Sequence, residues 1–218
     1  MTGAEEQAET AGMPRIGEQA PDFEAVTTHG PLTMNALRGQ WVVLFSHPAD
    51  FTPVCTTEFV ALARRAEEFA QRNVKLVGLS IDSIHSHLAW LRNIEEKLGV
   101  KIPFPVIADV DMKVANKFGM IHPAASTTAA VRALFVIDPD GFIQAMVYYP
   151  LQTGRSMDEL LRLVDALQTT HQHHVATPAD WRPGEKVIVP PPLTEEQVEE
   201  LLRSDYEKTD FYLMKRNL

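Results

Sequence analysis

Between Trp41 and Gln172 short apolar runs alternate with amphipathic stretches, and few architectures accept that order. WVVLFS (Trp41 to Ser46) reads as a strand buried on both faces. TTEFVALARRAEEFA (Thr56 to Ala70) follows, with Phe59, Leu62, Ala66 and Phe69 at helical spacing. VKLVGLSID (Val74 to Asp82) is a second β-rich run, and HSHLAWLRNIEEKLG a second helix. Its apolar face is assigned to Leu88, Leu91, Ile94 and Leu98, with Gly99 as the stop. Asp111–Phe118 forms a shorter helix ended by Gly119. RALFVIDPDGFIQAMVYY predicts two strands around the turn Asp138-Pro139-Asp140-Gly141. Ser156–Gln172 closes the set as a helix with Met157, Leu160, Leu161, Val164 and Leu167 in its stripe. Strand–helix alternation followed by a hairpin and a last helix predicts an α/β fold, a mixed sheet layered by helices.

From Val175 the texture changes. TPADWRPGEKVIVPPP is proline-rich, with one β run at Val187–Val189, and leads to a small amphipathic helix, LTEEQVEELL. The expected organisation is a disordered acidic tail at 1–13, a main domain at 14–174 and an extension at 175–218. The extension is too small to bury Trp181 and its tail aromatics alone, so it is expected to pack on the main domain or, in preference, on another subunit. A formal charge of −9 argues against a nucleic-acid partner. No apolar run reaches the roughly 18 residues of a membrane span. The N-terminus has no basic residue before Arg15, unlike a secretory signal or transit peptide, so the cytoplasm is the expected location.

One cysteine, Cys55, stands in PADFTPVCTTE, where the first strand hands over to a helix. A thiol at that junction meets the positive end of the helix dipole, which favours the nucleophilic thiolate. A lone cysteine excludes an intramolecular disulfide, a C-x-x-C pair and a zinc site built on several thiolates. Any redox cycle must therefore be resolved by a thiol from another molecule. A peroxide-reducing thiol needs donors aligned on both oxygens of the O–O bond, where charge develops in the transition state. Pro48, Thr52 and Cys55 in the order P-x-x-x-T-x-x-C supply a shield, a hydroxyl and the nucleophile; a fixed positive charge from elsewhere would complete the set.

FSHPADFTPVCTTE resembles the active-site motif of the peroxiredoxins, in particular the one-cysteine subfamily. The likeness runs from about Pro14 to the C-terminus and includes VRALFVID (Val131 to Asp138), YYPLQTGRSMDELLR (Tyr148 to Arg162) and TPADWRPGEKVIVPPP. The resemblance implies a thioredoxin-like fold whose C-terminal extension serves dimerisation, in a family where larger rings of dimers, decamers among them, are common. It implies a thiol peroxidase acting on hydrogen peroxide and alkyl hydroperoxides, with no cofactor and no metal. It makes Cys55 the nucleophile that cycles through sulfenic acid, Thr52 the hydroxyl that orients peroxide and Pro48 the lid. Arg132 becomes the guanidinium that favours the thiolate and binds peroxide; Glu58 holds Arg132, and Arg155 adds a second charge. With no second cysteine, the reductant is external: a thioredoxin, glutathione or another small thiol. GLSID (Gly78 to Asp82) lacks the second glycine of a lipase-type G-x-S-x-G, so no phospholipase activity is expected.

Each residue has a plainer reading. Cys55 alone could be a small buried hydrophobe, Thr52 a helix cap, Arg132 a strand-edge charge, Glu58 a first-turn acid and Arg155 a salt-bridge residue near a cap. His47 could donate into the pocket or be satisfied structure. His171, His173 and His174 suit a negative helix terminus better than a metal, and His85 and His87 suit one less. Two other functions fit the same fold: a redox sensor or chaperone with incidental peroxide reactivity, and a non-catalytic thioredoxin-like interaction module.

Overall fold

In the computed structural model the described residues are 13–218, so the expected acidic tail lies almost wholly outside them. The elements run β1 (Glu24–Thr27), β2 (Gly30–Thr33), β3 (Trp41–Ser46), α1 (Pro53–Arg64), α2 (Ala66–Gln71), β4 (Val74–Ser80), α3 (Ile84–Leu98), β5 (Val106–Ala108), α4 (Lys113–Lys117), β6 (Arg132–Ile137) and β7 (Ile143–Tyr149). There follow α5 (Met157–His173), β8 (Val187–Ile188), α6 (Glu195–Arg203), β9 (Glu207–Asp210) and β10 (Leu213–Arg216). The main sheet is mixed, in the order β2-β1-β5-β4-β3-β6-β7, with β3, β4 and β5 parallel and the outer pairs antiparallel.

β3 is buried along its whole length because both sheet faces are covered. Val42 and Leu44 join Val77, Leu79, Phe135 and Phe118 on one face. Phe45 points the other way, edge-on to Phe59 of α1 and to Phe104, both with ring centroids 5.7 Å away. Phe59 in turn meets Trp90 of α3 at 4.6 Å. This aromatic layer pins α1 against the end of β3, where the cysteine sits.

Three expectations are corrected in detail. The helix after β3 begins three residues earlier than expected, at Pro53, whose fixed φ and missing N–H suit a first helical position. It also breaks at Arg65 (φ −109°, ψ 6°), so Phe69 belongs to a separate short helix. The buried stripe of α3 is His87, Trp90 and Ile94, with Leu88 and Leu98 exposed. Gly99 does end that helix in the left-handed conformation that glycine adopts without strain (φ 66°).

The chain divides into two compact units between Arg155 and Ser156, so α5 groups with the extension and not with residues 14–174. The reason is Trp181. It is buried among Ala166 of α5, Val175 and Val187, and its indole N–H donates to the Glu185 carbonyl at 3.1 Å. The helix supplies the apolar wall that the proline-rich segment lacks, without a second subunit. Trp181→Ala should cost roughly 3–5 kcal/mol within this unit, read as lost amide protection in β8 and β10; unchanged protection would contradict the assignment. No helix among the described residues is long and apolar enough to cross a membrane.

Candidate active site

Cys55 is the third residue of α1, inside its first turn, and is fully buried. At this position its sulfur lies near the unpaired N–H groups and the positive pole of the helix. Thr52 precedes the helix in extended conformation (φ −109°, ψ 149°), and its side chain makes no capping bond. Its hydroxyl donates to the Ala49 carbonyl at 2.8 Å, which leaves the oxygen's lone pairs to accept from another donor. Pro48 is half-buried in the turn between β3 and α1.

Arg132 arrives from far along the chain by strand register. β6 runs antiparallel to β3 with Phe45 opposite Leu134, and that register extended two residues sets Arg132 opposite His47. The Ser46 hydroxyl fixes the junction, donating to the Val131 carbonyl (2.6 Å) and accepting from the Ala133 N–H (3.1 Å). Arg132, itself buried, places Nη1 at 3.4 Å from Cys55 Sγ and 2.7 Å from Glu58 Oε2, while Nε donates to the Leu151 carbonyl at 2.9 Å. Glu58 lies one turn along α1 from Cys55.

Arg155 grips the same carboxylate in a fork, Nε to Oε1 and Nη2 to Oε2, both 2.8 Å, and adds its backbone N–H to Oε1 at 2.8 Å. Its Nη1 donates to the Ala133 carbonyl at 2.9 Å, and the guanidinium lies over the Phe45 ring. Burial alone would raise the Glu58 carboxyl, but the hydrogen bonds and charge of Arg155, then the charge of Arg132, carry it below the ordinary carboxylate range. Two guanidiniums thus share one carboxylate, leaving one buried positive charge beside the sulfur.

Because the folded carboxyl is more acidic than the unfolded one, Glu58 stabilises the fold above the unfolded value of about 4.3, and that stabilisation is lost as pH falls through the folded value. Glu58→Gln should destabilise the protein by roughly 3–5 kcal/mol at neutral pH. It should also flatten the dependence of the urea midpoint on pH below about 5. A variant with the parent's acid slope would show that Glu58 is not the group responsible.

The structure therefore brings Cys55, Glu58, Arg132 and Arg155 together. His47 is different. It makes no hydrogen bond to the thiol; its Nε2 faces Asp50 Oδ1 at 3.0 Å, and His87 Nδ1 meets the same carboxylate at 2.8 Å to Oδ2 and 3.0 Å to Oδ1. The expected donor into the pocket is part of a buried polar chain behind it. Asp50 and His87 are residues the sequence reading missed. His87 has a usable signal, since it shares a helical face with Trp90 and Ile94. Among the described residues, His47, Asp50 and His87 are the cluster whose ligand-type atoms come within 4.8 Å of one another. Their contacts, at 2.8–3.0 Å, are hydrogen bonds between the groups themselves.

Residues 16–146 match the AhpC/TSA family, and residues 166–204 match the C-terminal domain of 1-Cys peroxiredoxin. The chain belongs to the peroxiredoxin family. A peroxiredoxin of Aquifex aeolicus is 58% identical, over 96% of this chain and the whole of that relative. One of Methanosarcina mazei is 54% identical, over 89% of this chain and 92% of its own length. Among solved structures, the yeast mitochondrial 1-Cys peroxiredoxin superposes with a TM-score of 0.84 at 39% identity, covering 94% of this chain and all of the other. A cysteine-to-serine variant of peroxiredoxin 6 of Arenicola marina gives 0.84 at 38%, over 94% and 98%. With a single cysteine, this peroxiredoxin is of the one-cysteine kind, a thiol-dependent peroxidase on a thioredoxin-like fold.

Proposed function

We propose that Cys55 is the sulfur that reduces hydrogen peroxide and alkyl hydroperoxides. The thiolate attacks one peroxide oxygen, the O–O bond breaks, and the departing oxygen takes a proton and leaves as water or an alcohol. Cys55 is left as sulfenic acid. One external thiol then condenses with it, releasing water and forming a mixed disulfide, and a second thiol frees Cys55 as the reductant's disulfide departs. The observation carrying this reading is the Arg132 Nη1 to Cys55 Sγ contact of 3.4 Å in a cluster short of one negative charge.

In this reading Arg132 stabilises both the thiolate and the leaving oxygen, and Thr52 orients the peroxide through its hydroxyl. Pro48 limits water at the sulfur, Glu58 holds Arg132 against Cys55, and Arg155 holds Glu58. The yeast relative is described as resolved through glutathione/thioredoxin systems, which supports the same two thiol classes here. A lone thiol with no structural disulfide suits the reducing cytoplasm. Exposed Leu193, Leu202, Phe211 and Tyr212 support residues 175–218 as a dimerisation surface, with rings of dimers as the larger assembly. Stopped-flow mixing of reduced protein with hydrogen peroxide across pH, followed by turnover with excess thiol, is the test. Rapid oxidation with sustained turnover is expected; one stoichiometric burst and no turnover would make the protein a sensor instead.

A further inference from the structure

Behind the sulfur, three buried polar groups have their protons fixed by what faces them. His87 Nε2 lies 3.1 Å from the Ile107 carbonyl, and its Nδ1 lies 2.8 and 3.0 Å from the Asp50 carboxylate oxygens. The carbonyl only accepts, so Nε2 carries a proton there, and Nδ1 is the nitrogen that engages the carboxylate. His47 Nε2 donates to the same carboxylate at 3.0 Å, and its Nδ1 is buried with no partner, the bare nitrogen of a neutral ring. Burial, the largest influence, holds His47 below the ordinary imidazole value, which keeps that ring neutral. Burial works against ionisation of Asp50 too, but the hydrogen bonds from His47 and His87 overcome it and hold the carboxyl far below its usual range. Asp50 is thus the bridge between the two rings. Among the described residues, Asp82 is a further acidic group facing it, accepting from the Asp50 backbone N–H (3.1 Å) and the Ser80 hydroxyl (2.6 Å). Phe59 and Trp90 supply the rings against His47, at 4.8 and 5.1 Å.

Next to this clamp the backbone is strained. Phe51 has φ 54°, the left-handed region, and the residue is 58% exposed, so burial of the ring does not hold it there. Such a conformation costs about 1–3 kcal/mol and persists only where the flanks are pinned. One flank is Asp50; the other is Thr52, which leads directly into Pro53 and the turn carrying Cys55. We propose that His87 is a positioning residue for the peroxidase site: held by the Ile107 carbonyl, it anchors Asp50, Asp50 forces Phe51 into the left-handed conformation, and that twist sets the Thr52 hydroxyl and the first turn of α1 against Arg132. This rests on the peroxidase reading of the same site, and neither His87 nor Asp50 touches the substrate.

The test uses the full reduced chain with ring-labelled histidines. Long-range proton–nitrogen spectra should show one histidine protonated at Nε2 with its Nδ1 in a hydrogen bond to a carboxylate, absent in His87→Gln. A second should be the neutral tautomer protonated at Nε2. A His87 ring with no hydrogen bond at Nδ1 overturns the proposal. His87→Gln should slow oxidation of Cys55 by hydrogen peroxide about tenfold to a hundredfold. Adding Phe51→Gly, which removes the left-handed penalty, should recover part of the rate, a rescue that a merely structural role would not give. An unchanged rate in His87→Gln, or no recovery in the double variant, also overturns it. If His87→Gln does not fold, the spectrum of the unsubstituted chain decides. No turnover by the unsubstituted chain would remove the peroxidase reading, and the positioning role with it, whatever the histidine spectrum shows.

Discussion

Cys55→Ser abolishes catalytic peroxide consumption and leaves the fold in place. The chain has no other thiol, so no neighbour can substitute for the lost sulfur. Serine stays un-ionised at neutral pH without an adjacent general base. Arg132 Nη1 keeps its 2.7 Å bond to Glu58 Oε2, so no buried charge loses its partner and the stability cost stays at about 1 kcal/mol. The measurement is thiol-coupled turnover together with the urea midpoint. Turnover above the uncatalysed background would move the chemistry away from Cys55.

Arg132→Met slows the peroxide step by about 10²–10³-fold, the usual loss when one donor aimed at a developing negative charge is removed. Glu58 keeps its three bonds from Arg155, so the variant should remain folded, although a buried carboxylate loses half its positive neighbours. Without the guanidinium the rate should reach its plateau at higher pH, and the plateau itself should stay low because the peroxide also loses a donor. A plateau equal to the parent's would restrict Arg132 to favouring the thiolate. An unchanged rate at neutral pH would remove it from the site.

The parts of the fold legible in the sequence are those written by burial and by turn chemistry. The apolar run of β3, the Asp138–Gly141 turn between β6 and β7, and the Gly99 stop each have one physical reading, and the structure follows it. β1, β2 and β5 are four, four and three residues long, too short for a period to declare itself. β9 (EKTD) is fully exposed and paired only with β10, so its strand character comes from backbone pairing and not from side chains. Leucine count misled the reading of α3, because Leu88 and Leu98 stand in solvent while a histidine and a tryptophan face inward.

At the site, Cys55, Thr52 and Glu58 are local in sequence and could be read from spacing. Arg132 and Arg155 lie 74 and 97 residues from the carboxylate they share, and only strand register and the loop after β7 join them. Asp50 and His87 were missed because a pattern search for apolar faces is blind to polar groups that satisfy one another inside a core.

Complete burial of Cys55 imposes an asymmetry on the catalytic cycle. A peroxide has only two oxygens to bring to the sulfur, whereas a reductant thiol arrives attached to a peptide or a whole protein. The oxidative half can proceed through a narrow breathing of the turn ahead of α1. The reductive half needs a wider opening at the same sulfur, so a substitution that stiffens the turn is expected to spare the first half-reaction and slow the second.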